Sequence, residues 1–120
     1  MYELTVKSDF ASSHSLRDYQ GKCKNLHGHT WKVEVVFLGE KLNEAGMLID
    51  FTEIKKGLKD VVDALDHTHL NDCAYFKELN PTSENISKYV FQQISKELPS
   101  VKVKSVTVWE SENASATYYE

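Results

Sequence analysis

The chain has 120 residues, enough for one domain with a modest core, and its 41% hydrophobic and 27% charged residues fit a soluble globular protein. A net charge of −4 with no basic tail argues against nucleic acid as a partner, and no apolar run is long enough to span a membrane. The opening Met1-Tyr2-Glu3-Leu4-Thr5 lacks a basic segment followed by an apolar one, and Cys23 and Cys73 make no disulfide framework; the expectation is a cytoplasmic protein with reduced thiols.

Tyr2 to Ser13 alternates as a strand, with Tyr2, Leu4, Val6, Ser8 and Phe10 on one face; counting on through Ser12 reaches His14. A bulge near Ser12 would break that phase. Ser15 to Lys24 is polar and reads as a loop. It holds Arg17, the only arginine, with Lys22 and Lys24; a solvated loop and a phosphate clamp are the two readings. The next stretch, Cys23-Lys24-Asn25-Leu26-His27-Gly28-His29, places one thiol and two imidazoles within seven residues. His27 to Leu38 is the second strand. His27 and His29 extend the apolar face of Trp31, Val33, Val35 and Phe37, so both rings can reach one ion. His14, His27 and His29 would suit Zn(II) with a fourth position open for water or substrate. Surface histidines are the bland alternative. From spacing alone, Cys23 is as good a fourth, structural ligand as it is a catalytic thiol.

Gly39 to Gly46 is a turn region. Asp50 opens a helix with Glu53 three residues on, and Phe51, Ile54, Leu58, Val61, Val62 and Leu65 form its buried stripe. The helix runs out into Asp66-His67-Thr68-His69. A carboxylate beside an imidazole is either a chance helix-end pair or an oriented acid/base unit; His69 reads as structural or exposed, and Cys73 has no assigned role. Asn80-Pro81-Thr82-Ser83-Glu84 starts a second helix, with Ile86, Val90, Phe91, Ile94 and Leu98 inward and Pro99 as its stop. Val101 to Trp109 is a strand of mixed parity, buried on both faces or bulged. Glu110 continues the face of Val106 and Val108, where a buried acid needs a partner. Ala114 to Tyr119 is the last strand. The expected architecture is a single α+β domain over residues 1–120. Its order is β-β-α-α-β-β, a four-stranded antiparallel sheet with both helices on one face. Val36, Leu38, Val106 and Val108 are expected on the other face, and with two open sheet edges this invites self-assembly.

Taken together these elements resemble the 6-pyruvoyltetrahydropterin synthase superfamily of tunnelling-fold enzymes, most closely its carboxytetrahydropterin-forming branch. The resemblance rests on Phe10-Ala11-Ser12-Ser13-His14 (with Ser12 where alanine is usual), Cys23 followed after three residues by His27-Gly28-His29, Leu48-Ile49-Asp50-Phe51, Leu65-Asp66-His67 continued by Leu70-Asn71, and Asn80-Pro81-Thr82-Ser83-Glu84-Asn85. It implies one Zn(II) per subunit on His14, His27 and His29, a catalytic thiol at Cys23, an acid/base pair in Asp66 and His67, a pterin anchor at Glu110, and Thr82 in the base pocket. The three-residue gap after the cysteine is the carboxytetrahydropterin spacing. The implied substrate is 7,8-dihydroneopterin triphosphate and the implied products are 6-carboxy-5,6,7,8-tetrahydropterin, acetaldehyde and triphosphate, a step of queuosine biosynthesis. The implied assembly is a homohexamer of two stacked trimers whose sheets join into a barrel, with active sites between subunits. The sister activity, triphosphate loss to a 6-pyruvoyl product, and a non-enzymatic zinc-stabilised module are the competing readings.

Overall fold

The computed structural model describes residues 1–21 and 24–120. Strand β1 (Tyr2–His14) and strand β2 (His27–Gly39) form an antiparallel ladder in continuous register, from Tyr2 opposite Gly39 to His14 opposite His27. No bulge interrupts Ser12, so the parity argument for His14 holds. Helix α1 (Phe51–Asp63) follows, capped by Asp50, whose side chain accepts from the Thr52 N–H. After a two-residue strand, β3 (Thr68–His69), come two short 3₁₀ turns, Leu70–Asp72 and Ala74–Phe76, joined by Cys73, which packs against the core. Helix α2 (Ser83–Glu97) is capped by Thr82, whose hydroxyl accepts from the Asn85 N–H at 3.2 Å. Strands β4 (Lys102–Ser111) and β5 (Ala114–Tyr119) complete the sheet.

Among the described residues the sheet has five strands, ordered β3-β1-β2-β4-β5, where four were expected. The extra strand is short. Thr68 and His69 lie parallel to Ser12 and Ser13, using backbone groups that the end of β1 would otherwise leave bare. The four long strands are antiparallel as expected.

A second correction concerns β4. Between Val36/Ser105 and Phe37/Val103 the register shifts, leaving Lys104 as the extra residue of a bulge. The bulge turns Val103, Val106 and Val108 onto one face. Val106 and Val108 are therefore buried in the same core as Ile54, Leu58, Ile86 and Ile94 of the helices, not on the opposite face. That opposite face keeps Val36 and Leu38 but is otherwise mixed in charge, with Lys7 and Glu34 paired at 3.5 Å. The open edges remain: β1 meets β3 only at Ser12 and Ser13, and β5 has a ladder on one side only among the described residues. No described helix is long and apolar enough to cross a membrane.

Candidate metal and substrate site

The β1–β2 ladder delivers the three histidines. His14 and His27 are direct cross-strand partners at the open end of the ladder, and His29, opposite Ser12, is on the same face as His27. Their ring centroids lie 4.5, 4.7 and 5.1 Å apart, each pair edge to face. Trp31 closes the floor, edge-on to His14 and His29, with its indole N–H donated to the Ser12 carbonyl at 3.2 Å. Ser12 turns its buried hydroxyl to the Leu65 carbonyl.

The hydrogen-bond network assigns the tautomers. His14 Nδ1–H donates to the Pro81 carbonyl at 2.8 Å, and His27 Nδ1–H donates to the Asn25 carbonyl at 2.7 Å. Both Nε2 atoms are then lone-pair donors, and they face each other at 2.9 Å. Two lone pairs at that distance repel unless a cation or a shared proton lies between them. His29 Nε2 is buried without a hydrogen-bond partner, although Glu110 Oε1 lies 3.0 Å from it and 3.4 Å from His14 Nε2. Burial pushes the His14 and His29 pKa values below the ordinary 6.5, which favours the neutral, metal-binding form.

These atoms fit a zinc ion. Zn–N bonds of about 2.0–2.1 Å in a tetrahedron place ligand atoms about 3.3–3.4 Å apart. The ligand atoms of His14, His27, His29 and Glu110 all lie within 4.8 Å of one another, with the close pairs at 2.9–3.4 Å. The sequence parity that put Glu110 on the core face is correct. What it missed is that this carboxylate reaches the histidines themselves.

A hollow of about 220 Å³ opens beside the cluster, with His14, Leu16, Thr82, Glu84 and Glu110 in its wall. Thr82 and Glu110, singled out from the sequence, thus share one cavity with His14. Glu84, the acid in the first turn of α2, carries no signal in the sequence for this wall. Its place in the wall follows from the packing of α2 on β4 and β5, which sequence periodicity does not carry.

Asp66 and His67 do form a pair, with Asp66 Oδ2 3.0 Å from His67 Nδ1. Asp66 Oδ1 accepts the Ala11 N–H at 2.8 Å; that bond, aided by His67, holds the Asp66 carboxyl below its ordinary range. His67 adopts φ +55°, a left-handed conformation that costs a non-glycine residue about 1–2 kcal/mol. Its side chain is 83% exposed. The pair lines neither the histidine cluster nor the adjoining cavity. Cys23 and Lys22 lie outside the described residues. Arg17 donates from its guanidinium to the carbonyls of Leu79 and Asn71, both at 3.3 Å, and so pins a loop. His69 is half-buried, with its Nδ1 3.0 Å from Ser13 Oγ.

The model of one protein family, 6-pyruvoyl tetrahydropterin synthase, matches residues 3–120. The chain belongs to that family. It is 36% identical over 129 aligned residues to the 6-pyruvoyl tetrahydrobiopterin synthase of Dictyostelium discoideum, with 96% of this chain and 93% of the relative covered. It is 32% identical to the 6-carboxy-5,6,7,8-tetrahydropterin synthase of Synechocystis, covering 99% of this chain and 94% of the relative. The solved structure of the Caenorhabditis elegans 6-pyruvoyl tetrahydropterin synthase superposes with a TM-score of 0.91 at 29% identity, over 99% of this chain and 95% of that one. As a member of the 6-pyruvoyl tetrahydropterin synthase family, the protein is an enzyme with lyase-type chemistry on a pterin.

Proposed function

We propose that the protein is a zinc-dependent 6-carboxytetrahydropterin synthase. It would convert 7,8-dihydroneopterin triphosphate to 6-carboxy-5,6,7,8-tetrahydropterin, acetaldehyde and triphosphate, a step of queuosine biosynthesis. The observation that carries the metal is the pair of facing Nε2 lone pairs at 2.9 Å beside the orphaned His29 Nε2. The choice of the carboxy product rests on the three residues between Cys23 and His27.

Zinc, when bound by His14, His27 and His29, supplies Lewis acidity toward the hydroxyls of the substrate side chain. The protein residues do the rest. Glu110 holds the guanidine-like edge of the pterin by a charge-assisted, bidentate contact, and Thr82 lines the pocket that receives the ring. Cys23 moves protons between the side chain and the ring as a thiolate. His67, oriented through Nδ1 by Asp66, presents Nε2 as the second acid/base atom.

An exposed catalytic pair calls for a wall from elsewhere. His67 faces solvent on its own subunit beside the half-buried Asp66, and among the described residues the sheet has two open edges. We assign them to a site completed by a neighbouring chain, in a homohexamer of two trimers whose sheets close into a barrel. The exposed side chains of Tyr2, Leu42, Met47 and Phe51 around one shallow apolar hollow are further surface for that assembly to cover.

The 6-pyruvoyl reading keeps the same fold and metal and is favoured by relatives bearing that name. Product analysis separates the two. Zinc-loaded protein incubated with 7,8-dihydroneopterin triphosphate is expected to release acetaldehyde and a 6-carboxy pterin. A 6-pyruvoyl product without acetaldehyde moves the protein to the sister activity. Absence of turnover with zinc bound favours a non-enzymatic zinc module.

A further inference from the structure

β1 ends at His14, where its ladder to β2 also ends, yet the chain does not wander off. Ser15 and Arg17 are each held by an asparagine side chain from far along the sequence. Asn71 Oδ1 accepts the Ser15 N–H at 2.9 Å, and Asn71 Nδ2 donates to the Ser15 carbonyl at 2.9 Å. Asn80 Oδ1 accepts the Arg17 N–H at 2.8 Å, and Asn80 Nδ2 donates to the Arg17 carbonyl at 2.9 Å. A carboxamide offers the same donor and acceptor as a peptide unit. Ser15 and Arg17 are two residues apart, as are successive paired residues on one edge of a strand. The ladder that Thr68 and His69 begin against Ser12 and Ser13 is therefore continued by two side chains to Arg17.

This arrangement touches the site at two points. Pro81, whose carbonyl fixes the His14 tautomer, directly follows Asn80, and the Asn80 carbonyl is itself held by the Asn85 side chain at 2.8 Å and the Thr82 N–H at 2.9 Å. Leu16, between the two clamped residues, lies in the wall of the 220 Å³ hollow. Arg17 reinforces the clamp by donating to the carbonyls of Leu79 and Asn71, so both asparagine segments are tied to one short stretch of chain.

We propose that Asn71 and Asn80 are positioning residues of the metal and substrate site: their carboxamides stand in for a missing strand, and so hold the His14 imidazole on the Pro81 carbonyl and Leu16 in the cavity wall. The inference rests on the metal reading above. Loss of a partner that orients a metal-bound histidine weakens metal binding by about ten- to a hundredfold.

The test compares Asn80→Ala, Asn80→Asp and Asn71→Ala with Asn43→Ala. Asn43 is a control of the same chemistry: its Oδ1 accepts the Ala45 and Met47 N–H groups in a turn that makes no contact with the histidines. Zinc affinity is measured by chelator competition, the His14 tautomer by ¹⁵N NMR of the metal-free protein, and Tm by circular dichroism. Asn80→Ala is expected to weaken zinc ten- to a hundredfold and to convert His14 from the Nδ1–H form to a mixture. Asn80→Asp keeps the acceptor for the Arg17 N–H but loses the donor, and falls between. Asn71→Ala, one step further from Pro81, weakens zinc less. Asn43→Ala lowers Tm without changing either readout. Zinc affinity within twofold of wild type in Asn80→Ala, with the Nδ1–H tautomer retained, overturns the proposal and leaves the asparagines as loop staples. If wild type binds no zinc, the metal reading falls, and the tautomer comparison alone still decides the clamp. Should Asn80→Ala not fold, Asn80→Asp carries the same comparison.

Discussion

Removing the metal is the perturbation whose size the structure sets most directly. The candidate ligands sit at the open end of the β1–β2 ladder. The core of Val35, Phe37, Ile54, Leu58, Ile86 and Val106 is buried without them. Chelation is thus expected to leave the far-ultraviolet circular dichroism unchanged, unlike a zinc finger, which unfolds without its ion. Stability should still fall. A ligand at a hundred times its Kd stabilises the folded state by about 2.7 kcal/mol. Unfolding entropy of about 2.1 cal/mol/K per residue gives about 0.25 kcal/mol/K for 120 residues. Full loading therefore raises Tm by about 11 °C over the chelated protein, read by thermal denaturation with and without zinc at fixed protein concentration. Unfolding on chelation at 25 °C would refute the view that the ion occupies a preformed site. An unchanged Tm across a wide zinc titration would refute metal binding by these histidines.

Three other outcomes follow from particular contacts. Glu110→Gln keeps shape but removes the charge that would grip the pterin; a charged hydrogen bond is worth about 1.5–3 kcal/mol, so KM should rise by about ten- to a hundredfold while one zinc per chain is retained. Loss of zinc stoichiometry would instead make Glu110 a fourth ligand, which its 3.0 Å approach to His29 allows. Ser12→Ala should cost under about 1 kcal/mol in a denaturant titration, because the Leu65 carbonyl keeps the Thr68 hydroxyl at 2.7 Å; a loss of several kcal/mol would show that the serine is structurally required. In the metal-free protein, burial lowers the His14 and His29 pKa values, so the unfolded chain binds more protons than the folded one just below pH 6.5. Stability is then full above that pH and falls as pH drops through it towards the folded values; a flat urea midpoint between pH 7 and 5.5 would contradict the assignment.

The local elements were legible because each is written in short-range chemistry. Alternation marked β1 and β2, Asp50 and Thr82 marked the helix starts, and the period-two step from His27 to His29 put both rings on one face. Even Glu110 was placed on the correct face by parity. The bulge at Lys104 was only one of two readings of a mixed pattern, and its consequence, Val106 and Val108 turned to the helices, was decided by pairing with β2. The strand at Thr68 and His69 gave no signal, since two residues have no periodicity; it exists because the free edge of β1 had backbone groups to satisfy.

What the sequence determined by itself was the family and the candidate ligands, since metal donors must be particular residue types at particular spacings. What only the tertiary structure decided was who serves them. Pro81 fixes His14 from 67 residues away, Asn71 and Asn80 stand in for a strand at Ser15 and Arg17, and Arg17 donates to the carbonyls of Leu79 and Asn71. Such partners are chosen by where the chain returns in space, and any residue with a carbonyl or an amide can fill the role, so no local pattern announces them.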